Sequence, residues 1–490
     1  MLRPWPLTIV VDRRAGAPVG QQIVHAVIEE IRRGRLKPGT PLPGSRELGE
    51  TLGVNRKTVV QAYVELEAQG WVTTESRRGT FVAENLPLLD QVEGKSPQLG
   101  IPNEPFFHAP RAAAPLTADM PTRDMLAFND GAPDVRHVPI EVLARAYRNA
   151  LRTTLQLRRL GYGDPRGSES LRHAISTMLN ADRGLTTGMD NVCLTRGSQG
   201  AIFLIAQTLV VPGDTVVVEE LTYPPAREAF RRSGAEIATV GVDGHGMRVD
   251  ELEAVCRRKR VRAVYVTPHH HFPTTVLMKP ERRMRLMLLA AQFGFAIVED
   301  DYDHEFHFTH QPMLPLAAFD GGGQVIYIGS LSKLLSPSLR LGYISAPKAL
   351  VDRIASEIMI VDRQGDPAIE TAVAELIEAG EIHRHTRKMM RLYAERRALF
   401  TEMLDQAFGE RISFSMPDGG LAFWINFAEA TDLEQLARSA RDRRLFFLNP
   451  AAFHADGVPG HSLRLGFASL DTDELRIATS RLVAALNAIS

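Results

Sequence analysis

Lys333 is the residue of this sequence best placed for covalent chemistry. It ends the segment Ile326–Lys333, in which an apolar, strand-like run passes into a loop of small residues. An amine in such a loop can form an imine with a carbonyl compound if burial and a nearby cation lower its pKa. Arg340 could supply that cation. Taken alone, Lys333 could equally be an ordinary solvated lysine.

An acidic segment, Glu299–Asp301, precedes Tyr302 and lies about 30 residues before Lys333. A carboxylate at the end of an apolar strand, such as Asp300, could pair with a pyridinium nitrogen and keep it protonated, so that the ring acts as an electron sink. Tyr302 could then donate a hydrogen bond to a phenolic oxygen of the same ring. A solvated strand end is the alternative, but the nearby lysine favours a site for pyridoxal 5′-phosphate (PLP).

Three further features suit a ring that carries a phosphate. The turn Arg196–Gly200 follows a strand and opens a helix, where backbone amides and the Ser198 hydroxyl meet the positive helix end. Ser330 and Arg340 could hold the phosphate through charge-assisted hydrogen bonds. Tyr223 could stack on the ring, although an isolated tyrosine in a proline turn more often packs against its neighbours.

The elements that would position these residues are those of an α/β domain over residues 126–490. Its predicted helices include Gly200–Leu209, Arg227–Gly234 and Glu281–Phe293. Continuous apolar strands with helical crossovers indicate a mostly parallel sheet, and ligands of such sheets bind at the carboxyl ends of the strands. The predicted strands are Val192–Thr195, Thr215–Glu219, Val261–Thr267, Ala296–Asp300 and Val325–Gly329.

Residues 8–83 form a separate module with the pattern of a winged helix. Apolar residues between Gln21 and Arg33 lie on one helical stripe, and Gly34 ends that helix. Ser45 is predicted to cap a second, short helix, and Asn55 a third. Two helices joined by a Gly-containing turn are typical of a helix-turn-helix. Residues 71–74 and 79–82 then alternate like a two-stranded wing.

This module carries cations where such motifs contact DNA. Residues 1–85 contain 12 Lys and Arg against 9 Asp and Glu. The third helix opens with polar and basic side chains that suit a major groove, and arginines of the second helix and the wing would contact phosphates. A solvated basic helix start is the alternative for the third helix taken alone. The predicted DNA-binding set is Ser45, Arg46, Asn55, Arg56, Lys57, Thr58, Arg77, Arg78 and Gly79.

Composition indicates a multidomain globular protein. The chain has 490 residues, of which 44% are hydrophobic and 23% charged. Residues 84–125 are rich in Pro and Ala without a period, which predicts a linker, either a tether that lets the module reach DNA or a mere spacer. Cys193 and Cys256 lie far apart, so we expect no disulfide framework. Without a long apolar run, we expect a cytoplasmic protein with no membrane partner.

Two sets of motifs resemble known families. Leu36–Leu48, Leu52–Val59 and Arg78–Val82 resemble the GntR-type winged helix, although Asn55 and Lys57 differ from the residues more usual there. A second set of motifs follows the order seen in fold type I aminotransferases. It consists of Tyr162–Gly167, Gly197–Gln199, Tyr223–Pro224, Glu299–Asp303, Ser330–Lys333 and Arg340–Tyr343. A GntR-type module joined to this second set resembles the MocR/GabR family of PLP-dependent transcriptional regulators.

The resemblance implies a fold and a role for individual residues. It implies that the N-terminal winged helix is followed along the chain by a domain with a mostly parallel central sheet and a smaller C-terminal α+β subdomain. Lys333 would be the Schiff-base lysine and Asp300 the pyridinium partner. Tyr162 would reach the phosphate of a neighbouring subunit in a homodimer, for which a head-to-tail, domain-swapped pair is one form. Arg464 resembles the arginine that clamps a carboxylate, and is predicted to bind the effector. The predicted cofactor-binding set is Tyr162, Gly197, Ser198, Gln199, Tyr223, His271, Asp300, Tyr302, Ser330, Ser332, Lys333 and Arg340.

The loop Thr267–Thr275 departs from the family pattern Pro-x-His-Gln-Phe-Pro-x-Gly. His271 stands in place of the Gln and Thr275 in place of the Gly. We therefore expect a titrating contact near the cofactor at His271 instead of the amide contact. His269, His270 and His271 also suggest a metal. Neighbours on an extended segment point to opposite sides, however, and no carboxylate or cysteine lies close in sequence, so the sequence predicts no metal site.

Together these features predict a transcriptional regulator that binds operator DNA and PLP. It would sense an amino compound, or PLP itself, through Schiff-base chemistry at Lys333. The alternative is a working aminotransferase with an appended DNA-binding module, because both would share the same PLP residues. A third possibility is a plain repressor in which PLP is a structural relic. The winged helix favours regulation over turnover.

Overall fold

A computed structural model describes residues 9, 11–13, 16–87, 120–308, 313–455, 457 and 460–489. The chain divides into two compact units, Met1–Arg111 and Ala112–Ser490. Most of the predicted linker, residues 84–125, lies outside the described residues, which stop at 87 and resume at 120. Each unit has its own hydrophobic core.

The first unit is a winged helix. Its helices are α1 (Val19–Arg32), α2 (Ser45–Leu52) and α3 (Arg56–Ala68). An antiparallel hairpin follows, formed by β1 (Val72–Glu75) and β2 (Gly79–Val82). The apolar faces of the three helices pack together with the hairpin in one core, as the helical spacing of their apolar residues predicts.

The helix caps agree with the sequence in one case and differ in another. Asn55 caps α3, and its side-chain oxygen accepts a hydrogen bond from the Lys57 amide at 2.8 Å. The prediction that Ser45 caps α2 is wrong. Gly44 occupies the cap position without a side-chain hydrogen bond, and Ser45 is the first helical residue. Because of this shift, the Ser45 hydroxyl is free to accept from Arg56 Nε at 3.4 Å.

The second unit alternates strands and helices over most of its length. The strands are β3 (Leu126–Phe128), β4 (Val192–Thr195), β5 (Thr215–Glu219), β6 (Glu236–Val240), β7 (Val242–Asp243), β8 (Gly246–Met247), β9 (Val261–Val266), β10 (Ala296–Asp301), β11 (Val325–Ser330), β12 (Gly342–Ser345), β13 (Ile412–Phe414), β14 (Ala422–Phe427), β15 (Leu445–Phe447) and β16 (Ser462–Gly466). The helices are α4 (Ile140–Gln156), α5 (Glu169–Arg183), α6 (Gly197–Leu209), α7 (Pro224–Arg232), α8 (Val249–Arg258), α9 (Pro280–Phe293), α10 (Lys348–Val361), α11 (Pro367–Glu378), α12 (Glu381–Phe408), α13 (Leu433–Asp442) and α14 (Thr472–Asn487).

A seven-stranded sheet is the centre of this unit. Its strand order is β4-β12-β11-β10-β9-β5-β6, and every neighbouring pair is parallel except the two that involve β12. Both faces are covered: Val216 and Val218 belong to the core under α6, α7 and α10, whereas Val217 belongs to the core under α8 and α9. Burial on both faces explains why these strands are continuous apolar runs rather than alternating ones.

A smaller α+β subdomain follows at the C-terminal end. β14 lies between β13 and β16 in an antiparallel sheet, and β15 pairs with β3 in parallel. The long helix α12 and the last helix α14 pack against each other, and their apolar faces belong to the same core as these strands. The predicted fold class is therefore confirmed. Among the helices that the structure describes, none is both long and apolar enough to span a membrane.

Candidate cofactor site and DNA-binding surface

Lys333 lies just beyond the carboxyl end of β11, in the middle of the central sheet. Its Nζ atom is 4.2 Å from the centre of the Tyr302 ring. Desolvation by burial lowers the pKa of the Lys333 amine, although the carboxylates of Asp303, Asp130 and Asp300 act in the opposite direction. A lowered pKa is what an amine needs if it is to act as a nucleophile.

Asp300 is the next-to-last residue of the neighbouring strand β10, and one of its two carboxylate oxygens has no partner among the described residues. Its Oδ2 accepts a hydrogen bond from the Tyr265 hydroxyl at 2.7 Å. Its Oδ1 is buried and has no hydrogen-bond partner among the described residues. Burial raises the pKa of Asp300 to about 7. A buried acceptor without a partner is costly, and the N–H of a protonated ring would satisfy it.

Tyr302 contacts Lys333 through its ring and other residues of the site through its hydroxyl. The Tyr302 hydroxyl donates to the His270 carbonyl at 2.9 Å, and it accepts from Arg464 Nη2 at 3.4 Å. Tyr223 caps α7, and its ring meets the Phe272 ring edge-on with the ring centres 5.1 Å apart. Burial raises the pKa of both tyrosines, so both phenols stay protonated and can donate hydrogen bonds.

The turn before α6 forms a cradle for an anion. Gly197 has a φ of +71°, and a Cβ atom added to it would lie 3.2 Å from both terminal nitrogens of Arg340. Gly342 on β12 is equally restricted, because a Cβ there would lie 2.5 Å from the Gly197 carbonyl carbon. The first turn of α6 therefore presents its free amides beside a guanidinium, which is a favourable arrangement for phosphate.

The small polar residues of the predicted set surround this turn. Ser198 and Gln199 lie in the first turn of α6, and Gln199 Oε1 is buried without a partner among the described residues. Ser330 ends β11, and its Oγ atom accepts from the Ser332 amide at 3.3 Å. The fold thus brings these residues to one edge of the sheet with Lys333.

Arg464 lies on β16, in the smaller subdomain, and is only 1% exposed. Its Nε donates to the Asp130 carbonyl at 2.9 Å, and its Nη1 donates to the Pro273 carbonyl at 2.6 Å. Its guanidinium also lies over the Phe272 ring, 4.5 Å from the ring centre. These contacts hold the guanidinium beside Tyr302, where an anionic group of a ligand could meet it.

The three histidine side chains of the loop Thr267–Thr275 point in different directions. His270 Nδ1 lies 2.8 Å from Asp303 Oδ1. His271 instead turns toward the end of β5, where its Nε2 lies 3.0 Å from the Leu221 carbonyl and 3.2 Å from a Glu219 carboxylate oxygen. The expected titrating contact of His271 with a cofactor stays a prediction. Thr275 has a φ of +64°, which explains why the family pattern has Gly at this position.

Tyr162 lies apart from these residues on the surface of the second unit. Its side chain is 82% exposed, and the Arg363 guanidinium lies 4.7 Å from its ring centre. A loop tyrosine with this exposure has room to contact a second molecule.

Sequence reasoning missed two contributors to the site, Tyr265 and Asp130. Tyr265 lies inside the apolar run of β9, one strand away from Asp300 in the sheet. Asp130 supplies a backbone carbonyl to Arg464, and its charge acts on the Lys333 amine. An aromatic hydroxyl within the buried apolar end of β9, Ala263–Val266, was the available signal for Tyr265. Nothing local marks Asp130.

The predicted DNA-binding residues are exposed or half-exposed on the first unit. Arg56 begins α3, and Arg46 lies one residue into α2, where it pairs with Glu50 at 3.6 Å. At the wing, Arg77 has a φ of +63° and Gly79 a φ of +116°, which produces the tight tip. Arg78 forms an ion pair with Glu75. Asn55 acts as a helix cap, so its side-chain oxygen is already used.

Comparisons with known proteins agree with this division of the chain. Residues 19–82 match the family model described as bacterial regulatory proteins, gntR family. Residues 123–482 match the model described as aminotransferase class I and II.

Curated relatives combine the same two regions over nearly their whole length. The chain is 31% identical to the probable rhizopine catabolism regulatory protein MocR of Rhizobium meliloti, over 98% of this chain and 96% of that one. It is 31% identical to the HTH-type transcriptional regulator TauR of Rhodobacter capsulatus, over 87% and 88% of the two chains.

Solved structures resemble the second unit. A multiple substrate aminotransferase from Thermococcus profundus is 27% identical, with a TM-score of 0.70 over 75% of this chain and 92% of that one. LysN, an α-aminoadipate aminotransferase from Thermus thermophilus, was solved with N-(5′-phosphopyridoxyl)-L-leucine. It is 28% identical, with a TM-score of 0.70 over 75% and 93% of the two chains.

Proposed function

Because this chain belongs to the MocR family of regulators, in which a GntR-type domain precedes an aminotransferase class I and II domain, we propose that it controls transcription through PLP bound at Lys333. The ligand that it senses is an amino compound or PLP itself. The observation that carries this proposal is the combination of two features in one chain. One is a winged helix, and the other is a buried Asp300 oxygen that has no partner among the described residues and lies close to a lysine of lowered pKa.

The residues present fit PLP at each of its polar groups. Asp300 Oδ1 is available for the ring nitrogen, and Tyr302 and Tyr223 offer a phenol and an aromatic edge beside the lysine. Arg340, Ser330 and the first turn of α6 are available for the phosphate. When bound, PLP supplies an aldehyde carbon that an amine can capture reversibly.

The protein residues would have distinct tasks in sensing. Asp300 would hold a proton at the ring nitrogen, and Tyr302 would orient the ring through its fixed hydroxyl. Arg464 would receive an anionic group of the amino compound, because its guanidinium lies beside the Tyr302 hydroxyl and stays charged. The Lys333 amine would be held by the Tyr302 ring and the Asp303 charge whenever it is not bonded to the cofactor.

Sensing becomes regulation only if the ligand binds two states of the protein with different affinity. We propose that these states differ in how strongly the winged helix binds operator DNA. The major-groove contacts would come from the start of α3, and the phosphate contacts from Arg46, Arg77 and Arg78. Since operator DNA is the partner and the relatives are bacterial, we propose the cytoplasm as the site of action.

We also propose that the protein works as a homodimer. Leu155 and Leu157, at and just beyond the end of α4, are 64% and 57% exposed, and Ile360 near the end of α10 is 80% exposed. Exposed apolar side chains of this size favour a protein interface. Tyr162 lies in the same part of the chain and would reach the phosphate site of the partner.

One experiment tests the proposed function directly. The purified protein, loaded with PLP, is mixed with a fluorescent DNA fragment from upstream of its own gene. α-amino acids, γ-amino acids and aminosulfonates are then titrated in while both absorbance and DNA binding are followed. We expect one class of amine to shift the absorbance of bound PLP and to change DNA affinity over the same concentration range.

The rival function gives a different result in the same samples. A working aminotransferase would convert an amino acid and a keto acid over many turnovers. Multiple turnover without binding to any upstream fragment would overturn the regulator proposal. DNA binding that is unaffected by PLP and by every amine would leave a plain repressor.

A further inference from the structure

Three buried side chains beside the proposed PLP site have no part in binding PLP. His269 comes from the loop after β9, Asp301 is the last residue of β10, and His304 lies in the following turn. Their exposed fractions are 4%, 3% and 4%. One ligand atom from each lies within 4.8 Å of the other two. Asp300 and Asp301 alternate along β10, so the cluster faces away from the Lys333 side.

The cluster contains polar atoms that lack partners. Asp301 Oδ1, His269 Nδ1 and His304 Nε2 are all buried and form no hydrogen bond with any described residue. Buried polar atoms are nearly always paired, since an unpaired one loses its bonds to water without replacing them. Three such atoms in one place therefore indicate that something else binds there.

The tautomer of His269 shows what kind of ligand is needed. Its Nε2 atom bonds to the Met313 carbonyl, which can only accept, so Nε2 carries the proton. In the neutral ring, Nδ1 then presents a lone pair. The Nδ1 atom lies 3.5 Å from Asp301 Oδ1, which is also an acceptor without a partner among the described residues. Two acceptors that face each other call for a cation between them.

His304 completes the set from the other side of the carboxylate. Its Nδ1 lies 2.8 Å from Asp301 Oδ2, and its ring centre is 4.6 Å from that of His269. The Tyr327 hydroxyl also donates to Asp301 Oδ2, at 2.7 Å. That bond fixes the carboxylate from behind, as partners of metal-binding carboxylates commonly do.

We propose that His269, Asp301 and His304 form a binding site for a divalent transition metal, with Zn²⁺ as the representative ion. Two imidazoles and one carboxylate are a ligand set that such ions use, whereas Mg²⁺ and Ca²⁺ prefer oxygen alone. Ligands at about 2.0–2.2 Å from Zn²⁺ lie closer together than 4.8 Å, so the side chains would close slightly around the ion.

The surroundings allow an ion to enter and leave room for a further ligand. A cavity of about 420 Å³ lies against the cluster and is lined by His269 and His304, together with residues of the smaller subdomain such as Trp424. Two buried arginines lie near the Asp301 carboxylate, and neither forms an ion pair with it. Arg183 is paired with Glu305 and bonded to Tyr327 and Tyr343, and Arg283 donates to the Met278, Leu314 and Pro268 carbonyls. The Asp301 carboxylate therefore keeps a net negative charge for the ion to neutralise.

The sequence predicted no metal in this loop because no carboxylate or cysteine lies near His269 along the chain. The fold supplies the carboxylate from β10 instead. The site does not depend on the proposed function, because none of its ligands belongs to the PLP set.

The test uses the full-length protein without an affinity tag, stripped with a chelator and then dialysed. Zn²⁺ is titrated in by calorimetry, and Co²⁺ is titrated in while its visible absorption is followed. We expect one ion per chain, and a Co²⁺ spectrum typical of nitrogen and oxygen ligands. His269→Ala and His304→Ala should each weaken binding at least tenfold.

His307→Ala is the matched control. His307 lines the same cavity and contacts the His304 carbonyl at 3.3 Å, but it is not part of the cluster. We expect His307→Ala to bind as the wild type does, and far-UV circular dichroism checks that all three variants are folded. If the wild-type protein binds no stoichiometric ion, or if the double variant of His269 and His304 binds as tightly as the wild type, the proposal is wrong.

Discussion

The Nζ atom of Lys333 lies over the face of the Tyr302 ring, 4.2 Å from its centre. A cation over an aromatic face is stabilised by about 0.5–2 kcal/mol, more when it is desolvated. The ring therefore offers a resting place for the ammonium form, while burial favours the neutral amine. The aromatic face and the loss of solvent therefore act in opposite directions on the protonation of this amine.

We expect Lys333→Ala to remove covalent attachment of PLP. The visible band of bound PLP should be lost after dialysis, because no other described amine lies over Tyr302. Lys348→Ala is the control, since Lys348 pairs with Asp352 on the exposed side of α10. Survival of the band in Lys333→Ala would mean that another residue holds PLP.

Asp300→Asn should weaken retention of PLP while leaving the lysine in place. An amide cannot hold the ring nitrogen in its protonated form as a carboxylate does, and one unit of pKa change is worth about 1.4 kcal/mol. We expect the dissociation constant of PLP to rise at least tenfold. Tyr265→Phe removes only the bond to Asp300 Oδ2 and should have a smaller effect. Equal effects of the two variants would contradict this role for Asp300.

Arg56→Ala should weaken DNA binding without changing PLP occupancy. If Arg56 contacts a phosphate, the slope of log affinity against log salt should fall by about one. If it contacts a base, affinity should fall by about 1–3 kcal/mol and the preference at one position should relax. Arg33→Ala, at the residue just after α1, is the charge-matched control, because Arg33 pairs with Glu29. Equal losses in both variants would argue against a specific contact by Arg56.

Arg464→Lys should weaken the response to effectors that carry an anionic group. A lysine cannot offer two parallel donors to a carboxylate, and it cannot keep the bonds to both the Asp130 and Pro273 carbonyls. We expect at least ten times more effector to be needed for a half-maximal absorbance change. Arg476→Lys, at an exposed pair on α14, should behave as the wild type. An unchanged response in Arg464→Lys would exclude this arginine from the effector site.

Glu370 should make the second unit less stable as pH rises. Its carboxyl is 2% exposed, and burial raises its pKa to about 7 from an ordinary value of 4.5. The folded state therefore binds a proton more tightly than the unfolded state, so its stabilising effect is full below pH 4.5 and is lost as pH rises through 7. The loss in unfolding free energy is on the order of 1–3 kcal/mol.

Glu370→Gln tests this directly by thermal unfolding at pH 5.5 and pH 8. The amide keeps an acceptor for the Ser168 amide, which Glu370 Oε2 now binds at 2.7 Å, but it never ionises. We expect the variant to be more stable than the wild type at pH 8 and to show a smaller difference between the two pH values. Glu378→Gln, at the exposed end of α11, should leave the pH dependence unchanged.

Five of the seven strands of the central sheet could be predicted from the sequence almost to the residue, whereas β6 and β12 were not predicted. The structure has Val192–Thr195 and Thr215–Glu219 with the predicted bounds, because strands buried on both faces are continuous apolar runs that end at polar or glycine residues. The helices α6 and α7 begin at Gly197 and Pro224, each three residues before the predicted start. Gly and Pro suggest turns, yet both are accepted in a first helical turn.

The placement of β12 and the partners of the histidine loop depend on long-range contacts, so they could not be predicted from the sequence. β12 enters the sheet antiparallel between β11 and β4, and nothing in Gly342–Ser345 marks that placement. The partners of the three histidines depended on which carboxylates the fold would place beside them. Each histidine has a different one: Asp301 for His269, Asp303 for His270 and Glu219 for His271.

The contacts that Arg464 makes without a ligand bear on how many different ligands could control the protein. Its guanidinium is already held in place by two backbone carbonyls and the Phe272 face without any ligand. Its position would therefore not depend on an effector, and the cofactor could occupy the site alone. Under the proposed function the chain would have three ligation states, namely empty, cofactor-bound and effector-bound. A promoter under its control could read nutrient supply and vitamin supply as separate inputs.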